Sequence, residues 1–170
     1  MQRGSVVKVF GNIDGECAKA VCREIEVLAR RRGQFEMWID SAGGDLTAGL
    51  MIYCVMQLTE VKVKTMCCGK AYSTASLLLA AGSHGCRSCV ASASVAVHWP
   101  VGVVFGGVSD IVHQLASAID FEGEVMKAYM KHCDKSWWEV KHALSTSLTM
   151  RPTAAAAWGA VDAAWCCWAR

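Results

Sequence analysis

Residues 61–82 change period twice, and that change constrains the fold more than anything else in the chain. Val61, Val63, Thr65 and Cys67 alternate with Lys62 and Lys64, the period-two pattern of a half-buried strand. Gly69-Lys70-Ala71-Tyr72-Ser73-Thr74-Ala75-Ser76 reads as a turn, and it leads into the apolar run Leu77-Leu78-Leu79-Ala80-Ala81-Gly82. Ser73 therefore falls at the start of a buried helix, where unpaired N–H groups and the helix dipole favour negative charge. A serine there has two readings. It is commonly an N-cap; it is also well placed as a nucleophile beside an oxyanion hole.

The same alternation of strand and helix extends in both directions. Residues 6–10 read as a first strand that ends at Gly11-Asn12, and Asp14 caps a helix expected to run to Arg32 and stop at Gly33. Phe35, Met37 and Ile39 alternate with polar neighbours as a second strand. Ser41-Ala42-Gly43-Gly44-Asp45 makes a tight turn into an apolar helix over 46–58. A strand over 61–68, the Ser73 turn and its helix, and a strand at Val95-Ala96-Val97-His98 follow. This β-α-β-α-β-α-β order predicts an α/β domain with a mainly parallel sheet and right-handed crossovers. Ligands of such sheets bind beyond the carboxyl ends of the strands. Gly43-Gly44, the Ser73 turn and His98 all fall there.

After Pro100, residues 101–108 are apolar and glycine-spaced, and Ser109-Asp110 open a long helix to about Lys131. Its apolar face carries Ile111, Leu115, Ile119, Met126 and Met130, and its length predicts that it projects from the head. A short helix is expected over 137–144. A last helix is bracketed by Pro152 and Gly159, with a terminal strand from Val161.

Composition excludes several function classes. A hydrophobic content of 54% comes without any uninterrupted apolar run long enough to span a bilayer, so no membrane segment is expected. No apolar leader follows Arg3, which predicts a cytoplasmic, reducing setting for the ten cysteines. Cys86 and Cys89 form a lone CxxC without a second ligand pair, so they are expected to pack, and no metal or cofactor is expected. With a net charge of +2 and the cations scattered apart from Arg30-Arg31-Arg32, nucleic-acid binding is not indicated. The excess of apolar surface points to burial between subunits.

Five stretches in order resemble the Clp peptidase family, the proteolytic subunits of ATP-dependent Clp proteases. Asp40-Ser41-Ala42-Gly43-Gly44-Asp45-Leu46 resembles the family's N-S-P-G-G-S-V, and residues 69–82 resemble its nucleophile motif G-x-A-A-S-M-x-A-x-L-L-x-A-G. Val97-His98-Trp99-Pro100 is similar to M-I-H-Q-P, Tyr129-Met130-Lys131-His132 to the end of the handle helix, and Trp158-Gly159-Ala160-Val161-Asp162 to Y-G-L-V-D. His98 follows Ser73 by 25 residues, the family spacing. The resemblance implies a ClpP/crotonase-like βαβ superhelical head (about 1–108 and 145–170) with a projecting handle (about 109–144) in one domain. It also implies a serine endopeptidase acting on unfolded proteins or peptides inside a homo-oligomeric assembly of stacked heptameric rings. In that scheme Ser73 is the nucleophile, His98 the general base, and the N–H groups of Gly43 and Thr74 the oxyanion hole. Val101, Gly102 and Val103 lie in a strand that pairs with the extended substrate.

The chain departs from the family pattern at one decisive place. The third triad position, an aspartate in the family, is Ser147, and no carboxylate stands in Ser145-Thr146-Ser147-Leu148. Removing the acid from a serine-protease triad lowers turnover by about 10⁴. Ser147 can still accept a hydrogen bond from the ring, and Asp134, Asp162 or a neighbouring subunit are other sources of charge. Two smaller departures are Thr74 for methionine and Ala42 for proline. Only Met1 to Ser5 precede the first strand, which argues against coupling to an AAA+ ATPase unfoldase. The alternative function is a catalytically weakened or silent ring subunit. A Ser–Lys dyad using Lys70, and an acyl-CoA-binding crotonase-type enzyme, are further readings; the second gives the Ser73–His98 pair no role. On sequence alone, Ser147→Asp is expected to raise turnover.

Overall fold

Buried Val7 and Val9 alternate with exposed Lys8 and Phe10 in β1 (Ser5–Ile13). The computed structural model describes residues 5–31 and 34–165. The helix stop expected at Arg32 and Gly33 and the pair Cys166-Cys167 lie outside the described residues. β1 does not end at Gly11-Asn12 as expected. Its register against the next strand slips between Phe10 and Asn12, and the strand continues past this bulge. In α1 (Gly15–Arg30), Asp14 caps as expected, its Oδ1 accepting the Cys17 N–H at 2.9 Å. β2 (Phe35–Gly44) buries every second residue from Phe35 through Gly43, so the expected turn at 41–44 is still strand. Asp45 then caps α2 (Leu46–Leu58), accepting the Ala48 N–H at 2.7 Å.

β3 (Val63–Tyr72) also outruns its expected end, because Gly69 is not a turn residue. A Cβ there would lie 2.6 Å from Asp40 Oδ1, which accepts the Lys70 N–H at 3.0 Å. Glycine lets the two strands close on that carboxylate. α3 (Thr74–Ala80) is buried along its whole length. β4 (Arg87–Val90), β5 (Ser94–Ala96), α4 (Val108–Cys133), α5 (Trp137–Ser145), β6 (Thr149–Met150), α6 (Pro152–Trp158) and β7 (Ala163–Trp165) complete the described chain. Pro152 stands in the first turn of α6 and Gly159, at φ 89°, closes it.

The sheet runs β1-β2-β3-β4-β7, all parallel, and β3 changes neighbour along its length. Thr65 to Cys67 face β4, whereas Lys70 to Tyr72 pair with β5, which in turn pairs antiparallel with β6. This mixed α/β sheet with helical crossovers is the ClpP-like fold. Only the second half of α4 packs on the sheet and its helices: Val125, Met126, Ala128, Tyr129, His132 and Cys133 are buried. From Val101 to Asp120 no residue is buried. Among the described residues, no helix is long and apolar enough to cross a membrane.

Arg87 ties these layers together. Its guanidinium is buried, holds both oxygens of Asp162, and donates to the carbonyls of Ala80 and His132. Burial works to raise the Asp162 pKa, but the Arg87 hydrogen bonds prevail and hold it below the ordinary carboxylate value. His132, also buried, sits edge-on to Tyr53, whose hydroxyl lies 3.1 Å from Nε2. Burial, then Lys131, Arg87 and His84, push the His132 pKa down to about 4.

The unfolded chain therefore binds a proton at His132 near pH 6.5 that the folded chain refuses until about pH 4. This contribution is complete above pH 6.5 and is lost as pH falls through that window. Urea denaturation at pH 7.0 and 4.5 is expected to show wild type losing about 2 kcal/mol more than His132→Gln.

Candidate active site

Backbone register brings Ser73 and His98 to one rim. Tyr72 pairs with Ala96 at the end of the β3–β5 ladder, and the Ser73 N–H donates to the Ala96 carbonyl at 3.0 Å. His98 follows two residues later, anchored through the Val97 N–H on the Leu148 carbonyl at 3.0 Å. Both side chains line a cavity of about 460 Å³ at the carboxyl ends of the strands. Ala42, Gly44, Asp45, Thr74, Val101 and Gly102 share its wall. Among the described residues, no hydrogen bond yet joins the Ser73 hydroxyl to the ring.

The conformation of Ser73 separates the two readings of that serine. Its φ of 55° and ψ of −128° form a sharp strand-to-helix elbow, costly for a residue with a Cβ. Its side chain makes no cap hydrogen bond, so the N-cap reading does not hold. The Ser73 carbonyl carries the turn instead. It accepts the N–H groups of Ser76 and Leu77 and the Ser76 hydroxyl at 2.6 Å. The buried Tyr129 hydroxyl lies 2.7 Å from Ser76 Oγ and 3.4 Å from that same carbonyl. α4 thereby clamps the elbow of a residue that lines the cavity.

His98 is half-buried, and its Nδ1 lies 2.9 Å from the Trp99 carbonyl. A carbonyl only accepts, so Nδ1 carries a proton, and in the neutral ring the lone pair is then on Nε2. The Trp99 indole N–H in turn donates to Ser145 Oγ at 3.0 Å. Ser147 is not brought to the ring. It is exposed, holds φ 51° and makes no side-chain hydrogen bond, so the structure gives it no triad contact. Asp162 is committed to Arg87, Asp134 is an exposed helix terminus, and Lys70 is exposed and absent from the cavity wall. None of them serves as the ring's partner.

The other expected residues divide. Gly43, at φ 93°, packs directly on Ser73: a Cβ there would lie 2.7 Å from Ser73 Cβ and 2.8 Å from the Tyr72 carbonyl. Its N–H, however, donates to Ser41 Oγ at 2.9 Å, while that hydroxyl donates to the Gly11 carbonyl. Among the described residues, the Thr74 N–H has no acceptor. Val101, Gly102 and Val103 are exposed and lie in an irregular segment that is not a strand among the described residues. Sequence reasoning missed Trp99, Tyr129 and Ser76 as supports, and also Glu122, a second carboxylate on the cavity wall beside Asp45. Among the described residues, no cluster of His, Cys, Asp and Glu is arranged to hold a metal ion.

A mostly parallel α/β sheet brings a strained serine and a histidine to one cleft. The family model for Clp protease matches residues 1–165, and the chain belongs to that family of peptidases.

Gly43→Ala places a methyl group against Ser73 Cβ at a backbone angle that L-residues avoid. It is expected to lower the reactivity of Ser73 toward a fluorophosphonate by about 100-fold, with far-UV circular dichroism preserved.

Proposed function

We propose that the chain is a serine endopeptidase that hydrolyses peptide bonds in unfolded polypeptides or short peptides, working as a subunit of a ring assembly. The observation that carries this reading is the elbow at Ser73, whose side chain is released from capping and faces a cavity shared with His98. His98 Nε2 takes the hydroxyl proton as Ser73 Oγ attacks the carbonyl carbon, and the tetrahedral intermediate collapses with return of that proton to the leaving amine. Water then repeats the sequence on the acyl-enzyme. The Trp99 carbonyl fixes the tautomer but supplies no full negative charge, so turnover is expected to be well below that of a carboxylate triad. Val101 and Gly102 offer unpaired backbone along the cleft for an extended peptide.

Assembly follows from α4, which we read as the handle. Val108, Val112, Leu115 and Ile119 recur at three- and four-residue spacing on its first half and are all exposed. A second copy of the chain gives this stripe a place to be buried.

The alternative is a silent ring subunit, favoured by the missing carboxylate and by the Gly43 N–H already engaged with Ser41. Fluorophosphonate labelling separates the two. The peptidase is expected to label at Ser73, with no label in Ser73→Ala; absence of label from the wild-type particle assigns the silent role. Ser147→Asp, expected from sequence to raise turnover, is now expected to change kcat by less than about threefold, because Nδ1 already has an acceptor. A rise of tenfold or more would mean the ring turns away from Trp99. Leu115→Glu with Ile119→Glu is expected to shift native mass from stacked rings to smaller species. An unchanged mass would place the contact elsewhere.

A further inference from the structure

Two buried hydroxyls, those of Ser76 and Tyr129, meet behind the Ser73 elbow. Ser76 Oγ donates to the Ser73 carbonyl at 2.6 Å, which uses its one proton. The Tyr129 hydroxyl, 2.7 Å from Ser76 Oγ and 3.4 Å from the carbonyl, is therefore the donor of the second short bond. Burial pushes the Tyr129 phenol above its ordinary pKa, so it keeps the proton that this role needs. A hydrogen-bonded chain thus runs from the Tyr129 O–H through the Ser76 O–H to the Ser73 carbonyl. The same carbonyl also accepts the N–H groups of Ser76 at 3.0 Å and Leu77 at 3.3 Å. Those backbone donors suffice to close the first turn of α3, and the hydroxyls are surplus to it. The nucleophile motif of the family has alanine where this chain has Ser76.

The Ser73 carbonyl and the Thr74 N–H belong to one planar trans peptide unit and point in opposite directions. Whatever fixes the carbonyl therefore fixes the amide. Hydrogen bonds donated to a carbonyl also polarise its peptide unit and strengthen the N–H as a donor. We propose that Ser76 and Tyr129 are positioning residues, whose hydroxyl chain aims and strengthens the Thr74 amide beside the nucleophile. The inference rests on the peptidase reading, in which that amide faces the substrate carbonyl. Neither hydroxyl touches substrate, and no proton is transferred along the chain. The amide gains most as negative charge develops on the substrate oxygen, so the two hydroxyls act on kcat rather than on KM. Tyr129 acts through Ser76, whose hydroxyl is the one bonded closely to the carbonyl.

Ser76→Ala installs the residue of the family motif, and Tyr129→Phe removes one hydroxyl while its ring keeps its contact with Trp158. Ile25→Val, a core site on α1, controls for lost stability alone. With the intact particle, kcat and KM on a fluorogenic peptide and the melting temperature are measured for each. So is inhibition by a peptide boronate, whose tetrahedral adduct places an oxygen where the oxyanion forms. The expected result is a fall in kcat of about 10-fold in each hydroxyl variant with KM little changed, inside the roughly 10²-fold that a misplacement of about 1 Å costs. Boronate affinity is expected to fall in step with kcat. The double variant is expected to match Ser76→Ala, because the two residues act in series. Ile25→Val is expected to lower the melting temperature and leave kcat and boronate affinity unchanged. Wild-type kcat in Ser76→Ala and Tyr129→Phe would overturn the proposal, as would additive losses in the double variant or an equal loss of kcat in Ile25→Val. Should Ser76→Ala fail to fold, Tyr129→Phe alone decides by the same split of kcat from KM. A wild-type particle that neither cleaves nor labels with a fluorophosphonate would overturn the peptidase reading and this inference with it, whereas an active wild type matched by both variants would overturn only the inference.

Discussion

A single backbone hydrogen bond, from the Ser73 N–H to the Ala96 carbonyl, sets the geometry of the proposed site. It is the last rung of the β3–β5 ladder, and it fixes the end of one strand against the end of another. His98 is two residues beyond that rung, so the register that closes the sheet also brings the imidazole to the serine. β3 can reach β5 only because Gly69 lets it pass over the Asp40 carboxylate and continue after leaving β4. Parallel strands with both ends tied by buried helices leave little room for slippage, since a shift of one residue would turn Ala71 and Val95 out of the core.

The elbow at Ser73 is a local cost carried by its surroundings. A non-glycine residue at positive φ persists only where neighbours over-determine it. Here Ser76 and Tyr129 converge on the Ser73 carbonyl, Gly43 presses from the front, and all of α3 is buried behind. Tyr129 belongs to the half of α4 that packs on the head, and the exposed apolar stripe belongs to the other half. One rigid element thus spans both the proposed subunit contact and the support of the Ser73 elbow. The charge balance is less complete. The Asp162 carboxylate is held by Arg87, and the His98 ring is oriented by a neutral carbonyl. Orientation survives the loss of the family's aspartate; charge stabilisation of the imidazolium does not.

Much of this was legible from residue pattern alone. The bounds of α2, the Asp14 cap and the Gly159 terminus follow local rules that tertiary contact did not override. The pair Ser73 and His98 was legible from position, each at the end of a strand. What escaped notice depends on contacts distant in sequence. Gly69 looks like a turn until Asp40 is placed beside it, and Gly43 looks like a free donor until Ser41 Oγ is seen to accept its hydrogen bond. Ser147 matched a motif by counting, yet its left-handed backbone leaves it exposed. The Trp99 carbonyl carries no sequence signal, since any residue has a carbonyl.

The central claim is that the strained turn frees the Ser73 hydroxyl for attack, with the His98 ring beside it and the Thr74 N–H in front. The most direct measurement is an experimental structure of the particle after reaction with a fluorophosphonate. The account predicts phosphorus bonded to Ser73 Oγ, its oxygen within hydrogen-bond reach of the Thr74 N–H, and His98 Nε2 turned toward the adduct with Nδ1 still on the Trp99 carbonyl. An adduct on another residue, or a phosphonyl oxygen directed to solvent with His98 turned away, would contradict it.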